Sequence, residues 1–274
     1  MKLPELHDRL FELLCTIDDI AKKENVRYFL DSGTALGAAR EGDFIPWDDD
    51  MDLKVLAEDY PAFKEAMEKN LPEHLHLAEP TERMPAFYDF IVRIYDDRVP
   101  IRELTDEDRY YKEFVSHLGT DIFVMAKTPK SDFGKKMMRL RIKILFGLGM
   151  SRRYSIDYSK YSGIQKVQVW VLATLGHLFP LSFIHKRKQA LTHRYEAVTD
   201  SYRLKVDVNP KDLRFYPESL YAGETTLPLR GREFPAISGY KEELALIYGE
   251  DWMIPRRDGD YIRHLDEEDR QIEE

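Results

Sequence analysis

Between residues 5 and 24, Leu6, Leu10, Leu13, Leu14, Ile17 and Ile20 recur at the spacing of one helical face, which predicts an amphipathic helix. Tyr28-Phe29-Leu30 is a short apolar run that reads as a buried strand. It ends at Asp31-Ser32-Gly33-Thr34, and the Ala35–Arg40 segment that follows has helix-forming composition with Gly42 behind it. A loop carrying Pro46 runs from Asp43 to Asp50, and Met51–Leu56 reads as the next strand. Ala57–Asn70 is predicted as a helix with Tyr60, Phe63 and Met67 on one face, where Pro61 is acceptable only in the first turn. Phe87–Tyr95 and Val115–Met125, rich in Val, Ile, Phe and Tyr, are predicted strands. From Phe133 to about Tyr202 the pattern turns helical. The end of the chain reads as loop-rich, with an acidic tip (Asp266 to Asp269, Glu273, Glu274) expected to be disordered.

A chain of 274 residues, 43% apolar and 33% charged, is one large globular domain or two small ones. Its one cysteine, Cys15, excludes an intrachain disulfide and a cysteine-based zinc cage, and fits a reducing cytoplasm. The segment MKLPELHDRL lacks the apolar core and small-residue cleavage site of a signal peptide. A net charge of −9 argues against a dedicated nucleic-acid binder. The charge is unevenly spread: residues 127–154 hold nine Lys/Arg against Asp132, a net +8 beside −17 for the remainder.

The most informative stretch is Phe44-Ile45-Pro46-Trp47-Asp48-Asp49-Asp50-Met51-Asp52-Leu53. Four carboxylates in five positions repel one another, and a fold tolerates them chiefly when a cation neutralises them. On a strand, Asp50 and Asp52 project to one face while Met51 and Leu53 point into the core. A solvated acidic loop would not carry Trp47, Met51 and Leu53. An EF-hand loop is suggested by Asp48, Asp50 and Asp52 at its first, third and fifth places. It fails because Leu53 stands where Gly is required and Asp59 where Glu is required. A phosphoryl-transfer metal site remains, in which one or two carboxylates and substrate phosphates share a Mg²⁺ ion.

Gly33-Thr34 supports that choice, since it opens a predicted helix whose free N–H groups can hold a phosphate. A third carboxylate is then expected from a neighbouring strand. Asp121, in Gly119-Thr120-Asp121-Ile122-Phe123-Val124, is so placed, although a strand-end Asp can also simply cap a turn.

At these residues the chain resembles the LicD family, whose bacterial members are phosphocholine transferases and whose distant relatives include fukutin and fukutin-related protein. The matching string runs Asp31-Ser32-Gly33-Thr34-Ala35-Leu36-Gly37-Ala38-Ala39-Arg40, then Gly42, then Phe44 to Asp52. Asp121-Ile122-Phe123 looks like the family's second motif, with Val124 in place of a frequent Pro. Gly239-Tyr240, Leu244 and Tyr248 to Pro255 look like its closing motif, after which only His264 stands where many members carry paired histidines.

The resemblance implies an α+β fold: a nucleotidyltransferase-type mixed β-sheet core flanked by helices, with a helical insertion. The corresponding division is a catalytic core over 1–126, a basic and apolar helical insertion over 127–205, and a C-terminal part of the catalytic domain over 206–274. It further implies transfer of phosphocholine from CDP-choline, or of ribitol or glycerol phosphate from a related CDP-alcohol, with release of CMP. The acceptor is a sugar hydroxyl of a lipid-linked teichoic acid or lipopolysaccharide precursor at the cytoplasmic face of the membrane. Asp50, Asp52 and Asp121 are then the catalytic residues and the ligands of Mg²⁺ or Mn²⁺. Gly33, Thr34, Arg40, Trp47, Asp48, Asp49 and His264 are the candidate substrate-binding set. Trp47, Tyr88, Tyr95, Tyr110 and Tyr111 are candidates to receive a choline head group. A catalytically inactive nucleotide- or glycan-binding scaffold is the alternative from another class.

Two readings of the middle region stay open. Phe133, Met137, Leu140, Ile144 and Leu148 form a helical stripe among basic residues, and residues 167–184 are strongly apolar. They are either core helices of a helical subdomain or an interfacial element drawn to an anionic membrane, which would make the protein peripheral. A transmembrane span is disfavoured by Gln168, His177 and Pro180.

Overall fold

The computed structural model describes residues 1–80, 90–113, 115–207 and 213–255. In chain order its helices and strands are α1 (Leu3–Glu24), β1 (Phe29–Leu30), α2 (Ser32–Arg40), β2 (Asp52–Leu56), α3 (Tyr60–Asn70), β3 (Leu75–Ala78) and β4 (Val92–Pro100). There follow α4 (Asp106–Tyr110), β5 (His117–Lys127), α5 (Asp132–Gly149), α6 (Gly163–Gly176) and α7 (Leu181–Thr192). The chain continues through β6 (Tyr202–Lys205), β7 (Tyr216–Pro217), β8 (Glu224–Leu229), β9 (Arg232–Ile237) and α8 (Tyr240–Tyr248).

The main sheet is mixed, in the order β1-β2-β5-β4-β3. Strand β5 is its spine. It pairs in parallel with β2 along one edge, while its first half pairs antiparallel with β4 and its last three residues with β6 along the other. Period-two alternation gives the two faces different jobs. Leu53, Val55, Ile122, Val124, Ala126 and Leu204 face a large core roofed by α1, α3 and α5, to which α1 contributes the expected Leu6, Leu10, Leu14 and Ile17. The opposite face is apolar only in part. Phe29, Leu56, Met125, Tyr216, Leu220 and Ile237 form a smaller cluster there. The same face carries Asp52, Lys54, Asp121 and Lys205. The expected mixed sheet flanked by helices is therefore present.

Several local expectations need correction. Strand β4 runs to Pro100, beyond the predicted end at Tyr95, and β3 was unanticipated, because Leu75–Ala78 is too short to show a pattern. The end of the chain, expected to be loop-rich, holds the β8–β9 hairpin and α8. That hairpin turns through Arg230 (φ +53°) and Gly231 (φ +78°), a two-residue turn with both central residues left-handed, and Arg-Gly is a weak signal for it. In α5 the buried stripe is Met138, Ile142 and Phe146, whereas Phe133, Leu140 and Ile144 of the expected stripe face outward. The acidic tip lies outside the described residues.

Candidate active site

Asp52 opens β2, and Asp121 stands directly opposite it on parallel β5, so both side chains leave the sheet on one face. On the other side of Asp121 its register partner on β4 is Arg93, whose Nη1 donates to Asp121 Oδ1 at 2.5 Å. Asp52, Asp121 and Arg93 thus form a row across three adjacent strands. Backbone bonds anchor it: Asp121 N–H donates to Met51 O at 3.1 Å, and Thr120 Oγ1 to the same carbonyl at 2.8 Å.

The Asp48–Asp50 loop rises beside this row. Asp48 N–H donates to Ile45 O at 3.0 Å, and His7 of α1, stacked on Phe44, meets the Asp48 carbonyl at 2.7 Å through Nε2. Burial, then the neighbouring Asp50 carboxylate with which it shares a hydrogen bond, pushes the Asp48 carboxyl up to about 8. Burial and Asp50 likewise raise Asp52, against the opposing ammonium of Lys205. Asp49 is buried. Asp48, Asp50, Asp52 and Asp121 thus lie together, and burial with mutual repulsion holds the Asp48 and Asp52 carboxyls above their usual range.

Helix α2 points its first turn at the cluster. Its N-cap residue, Asp31, makes no side-chain cap bond, because its carboxylate is turned inward to two lysines. A Cβ on Gly33 would lie 2.5 Å from Asp48 Oδ2, so a larger residue there would displace the Asp48 carboxylate. Thr34 is buried, and its Oγ1 accepts from Asp52 N–H at 2.9 Å, bracing the start of β2. Arg40 is held by Glu41 (2.6 Å to Nε) and donates to the Trp252 carbonyl at 3.3 Å. That guanidinium ties α2 to the segment after α8. Trp47 packs against the large core, its indole N–H buried without an acceptor among the described residues. Tyr110 and Tyr111 pack on each other, edge to face at 5.1 Å. His264 and Tyr88 lie outside the described residues.

Beneath the cluster is a buried ion network that the sequence reading left without a role. Asp31, whose N–H donates to Asp52 O at 3.1 Å, pairs with Lys54 at 3.1 Å and with Lys205. Lys54 also pairs with Glu243 of α8, which accepts from Tyr221 Oη at 2.6 Å. Lys205 donates to Ser32 Oγ at 2.8 Å and sits 4.3 Å from the Phe123 ring centroid. Burial alone would raise the Asp31 carboxyl, but Lys205 and Lys54 bring it down to about 2. Burial would lower both ammoniums; Asp31 with Glu243 holds Lys54 above its usual range, and Asp31 with Asp52 does so for Lys205. Tyr248 completes the site from α8, its hydroxyl pushed up by burial and by the Asp52 and Asp48 carboxylates. One of these was visible in advance: a lysine in the apolar run Leu53-Lys54-Val55-Leu56 shares a strand face with Asp52.

Among the described residues no three Asp, Glu, His or Cys side chains close into a metal-holding group. The donor chemistry nevertheless suits a divalent cation, because neighbouring hard carboxylates that keep their protons through burial and mutual repulsion are relieved by one. Mg²⁺ characteristically takes one or two carboxylates and completes its shell with water and phosphate.

A mixed sheet with carboxylates in register on two adjacent parallel strands, facing a helix N-terminus, is a nucleotidyltransferase-type arrangement. Residues 25–87 match the family described as LicD/FKTN/FKRP, nucleotidyltransferase domain. It is 24% identical over 253 residues to the lipopolysaccharide cholinephosphotransferase LicD of Haemophilus influenzae, a match that covers 90% of each chain. Similarity to the human ribitol 5-phosphate transferase FKRP is sharper and more local, at 52% identity over 40 residues, 15% of this chain and 8% of that protein. An uncharacterized protein of Rickettsia typhi, RT0683, is 36% identical over 58 residues, 21% of this chain and 19% of its own.

Proposed function

We propose that the protein is a phosphotransferase that moves phosphocholine from CDP-choline to a sugar hydroxyl of a cell-surface glycan precursor, releasing CMP. The observation that carries this reading is the cross-strand pair Asp52–Asp121 set against the first turn of α2. The end-to-end similarity to a cholinephosphotransferase supports the choice of donor. Asp50 and Asp52 would hold Mg²⁺ or Mn²⁺, with Asp121 completing the set; the bound ion supplies charge neutralisation at the donor diphosphate. The N–H groups at the start of α2 bind phosphate oxygens, and the helix dipole adds to that attraction. Lys205 keeps the acidic site from repelling an anionic donor outright. Where Asp50 and Asp52 alone hold the ion, Asp121, braced by Arg93, would instead take the acceptor proton as general base. The acceptor is lipid-linked, and the protein works as a peripheral protein at the cytoplasmic membrane face.

The local similarity to FKRP favours ribitol phosphate as the second reading. A thermal-shift panel of CDP-choline, CDP-ribitol and CDP-glycerol, each with Mg²⁺, separates the two. CDP-choline is expected to raise the melting temperature most, and the metal is expected to be required. A larger rise with CDP-ribitol would transfer the assignment. CMP release from CDP-choline separates the enzyme from an inactive scaffold, since a scaffold that binds nucleotide would show the thermal shift without the release.

Gly33→Ala tests the close approach of α2 to the acidic loop. The added methyl meets Asp48 Oδ2, so CMP release is expected to fall at least about tenfold, since misplacing a catalytic group by about 1 Å can cost 100-fold. The melting temperature is expected to change by only a few degrees. Unchanged turnover would show that Asp48 can move without disturbing the site.

A further inference from the structure

Helices α5–α7 expose more apolar surface than a water-facing layer requires. Helix α6 is apolar around most of its circumference. Ala173 and Gly176 are buried, whereas Ile164, Val167, Trp170, Val171 and Leu175 are exposed, Trp170 by 59%, and Leu178 in the following turn by 75%. Contiguous exposed apolar patches of this kind mark contact with a membrane or another protein. With 14 residues, α6 is about 21 Å long, too short for the ~30 Å bilayer core. Among the described residues no single helix is long and apolar enough to cross a membrane, and the axis bends by 114° between α6 and α7. Such a pair is suited to lying in an interface.

The patch leads to a cationic groove. Phe179 stacks on Phe183 at 5.5 Å, and the Arg187 guanidinium lies 5.0 Å from the Phe183 ring centroid. Arg187, Arg141 and Arg194 wall a groove of about 310 Å³ between α5 and α7, floored by Ile144, Leu145 and Leu191. None of the three guanidiniums meets a carboxylate among the described residues. A concavity with an apolar floor and guanidinium walls matches a phosphate group that carries hydrocarbon. Charge chooses the occupant. Residues 132–194 hold thirteen Lys/Arg and two acids, Asp132 and Asp157, in a chain whose net charge is −9. A two-fold contact with a second copy would set two such surfaces against each other.

We propose that α5–α7 form a docking surface for an anionic lipid bilayer, with the outward face of α6 in the interfacial layer and a lipid phosphate in the Arg141/Arg187/Arg194 groove. The inference deepens the reading above, which supplies a lipid-linked acceptor, and locates the surface that would meet it.

The test is co-sedimentation of the full chain with vesicles of phosphatidylglycerol and phosphatidylcholine, against phosphatidylcholine alone. Two variants are compared with wild type, Arg141→Gln/Arg187→Gln/Arg194→Gln and Ile164→Ser/Val167→Ser/Val171→Ser, with thermal melts to show that each folds. Each basic residue near an anionic surface contributes roughly fivefold, so the first variant is expected to bind about 100-fold more weakly. Wild-type binding should weaken with salt, as surface charges are screened beyond ~8 Å at physiological ionic strength. The second variant should lose the vesicle-induced blue shift in tryptophan emission. Equal pelleting of all three proteins, or of wild type on both lipids at every salt, would overturn the proposal. So would a wild-type dimer that the serine variant converts to monomer, since the face would then belong to a second copy. CMP release from CDP-choline with a soluble acceptor is measured in parallel. Vesicle binding without release sinks the transfer reading alone, and release without binding sinks the docking surface alone.

Discussion

Asp50→Asn and Asp52→Asn are each expected to abolish phosphotransfer and leave the protein folded, with a melting temperature equal to or above that of wild type. The two effects have opposite signs for one reason. In the free protein burial, and then the neighbouring Asp50 carboxylate, push Asp48 up to about 8 and raise Asp52, so replacing one of these acids by a neutral amide relieves the fold. In the reaction the same charges would hold the cation that neutralises the donor diphosphate. Losing one ligand removes several kcal/mol of transition-state stabilisation, at least about a thousandfold in turnover. Asp121→Asn is expected to be comparably damaging, but with a lower melting temperature, because Arg93 loses its ionic partner. Turnover of CDP-choline to CMP and a melting curve, taken for each variant at saturating Mg²⁺, read both effects. Near-wild-type turnover in Asp50→Asn or Asp52→Asn would remove that residue from the site.

The largest effect on stability is expected from Asp31→Asn. Asp31 is fully buried between Lys54 and Lys205, and taking one partner from a buried charge network costs about 3–5 kcal/mol, because the remaining charges stay buried. For a chain of this size that is about 10 °C in melting temperature. The pH dependence follows from the direction of the shift. The folded-state value, about 2, lies below the ordinary carboxyl value of about 4. The stabilisation from Asp31 is therefore complete above about pH 4 and is lost as the pH falls through the folded value. Denaturant unfolding of wild type and variant should show a gap at pH 7 that closes on acidification from pH 4 toward pH 2. A gap that is the same at pH 7 and pH 2 would mean that the Asp31 carboxylate does not carry the effect as a charge.

Local signals brought a reader of the sequence close to this site. Helical periodicity identified the buried face of α1. The alternation Asp50-Met51-Asp52-Leu53 predicted that Met51 and Leu53 point inward, as they do. Gly33-Thr34 announced the start of a helix, although α2 begins at Ser32, before the predicted Ala35. The outward stripe of α5 misled because Phe133, Leu140 and Ile144 recur at the same helical spacing as the buried Met138, Ile142 and Phe146. Periodicity shows that a face is apolar, not what covers it.

What the sequence by itself determined is everything that depends on neighbours a few positions apart: the apolar faces, the turn chemistry, the crowding of carboxylates and the basic bias of the middle helices. The tertiary structure alone decided which distant charges meet. Arg93 reaches Asp121 across 28 positions, and Lys205 reaches Asp31 across 174, because β5 pairs with β4 and β6 along one edge and with β2 along the other. Glu243 and Tyr248 enter only because α8 folds back over the same face. Ion pairs of this kind carry no periodic trace in the chain. Their energy depends on burial and on separation in space, and neither quantity exists until the strands have chosen their partners.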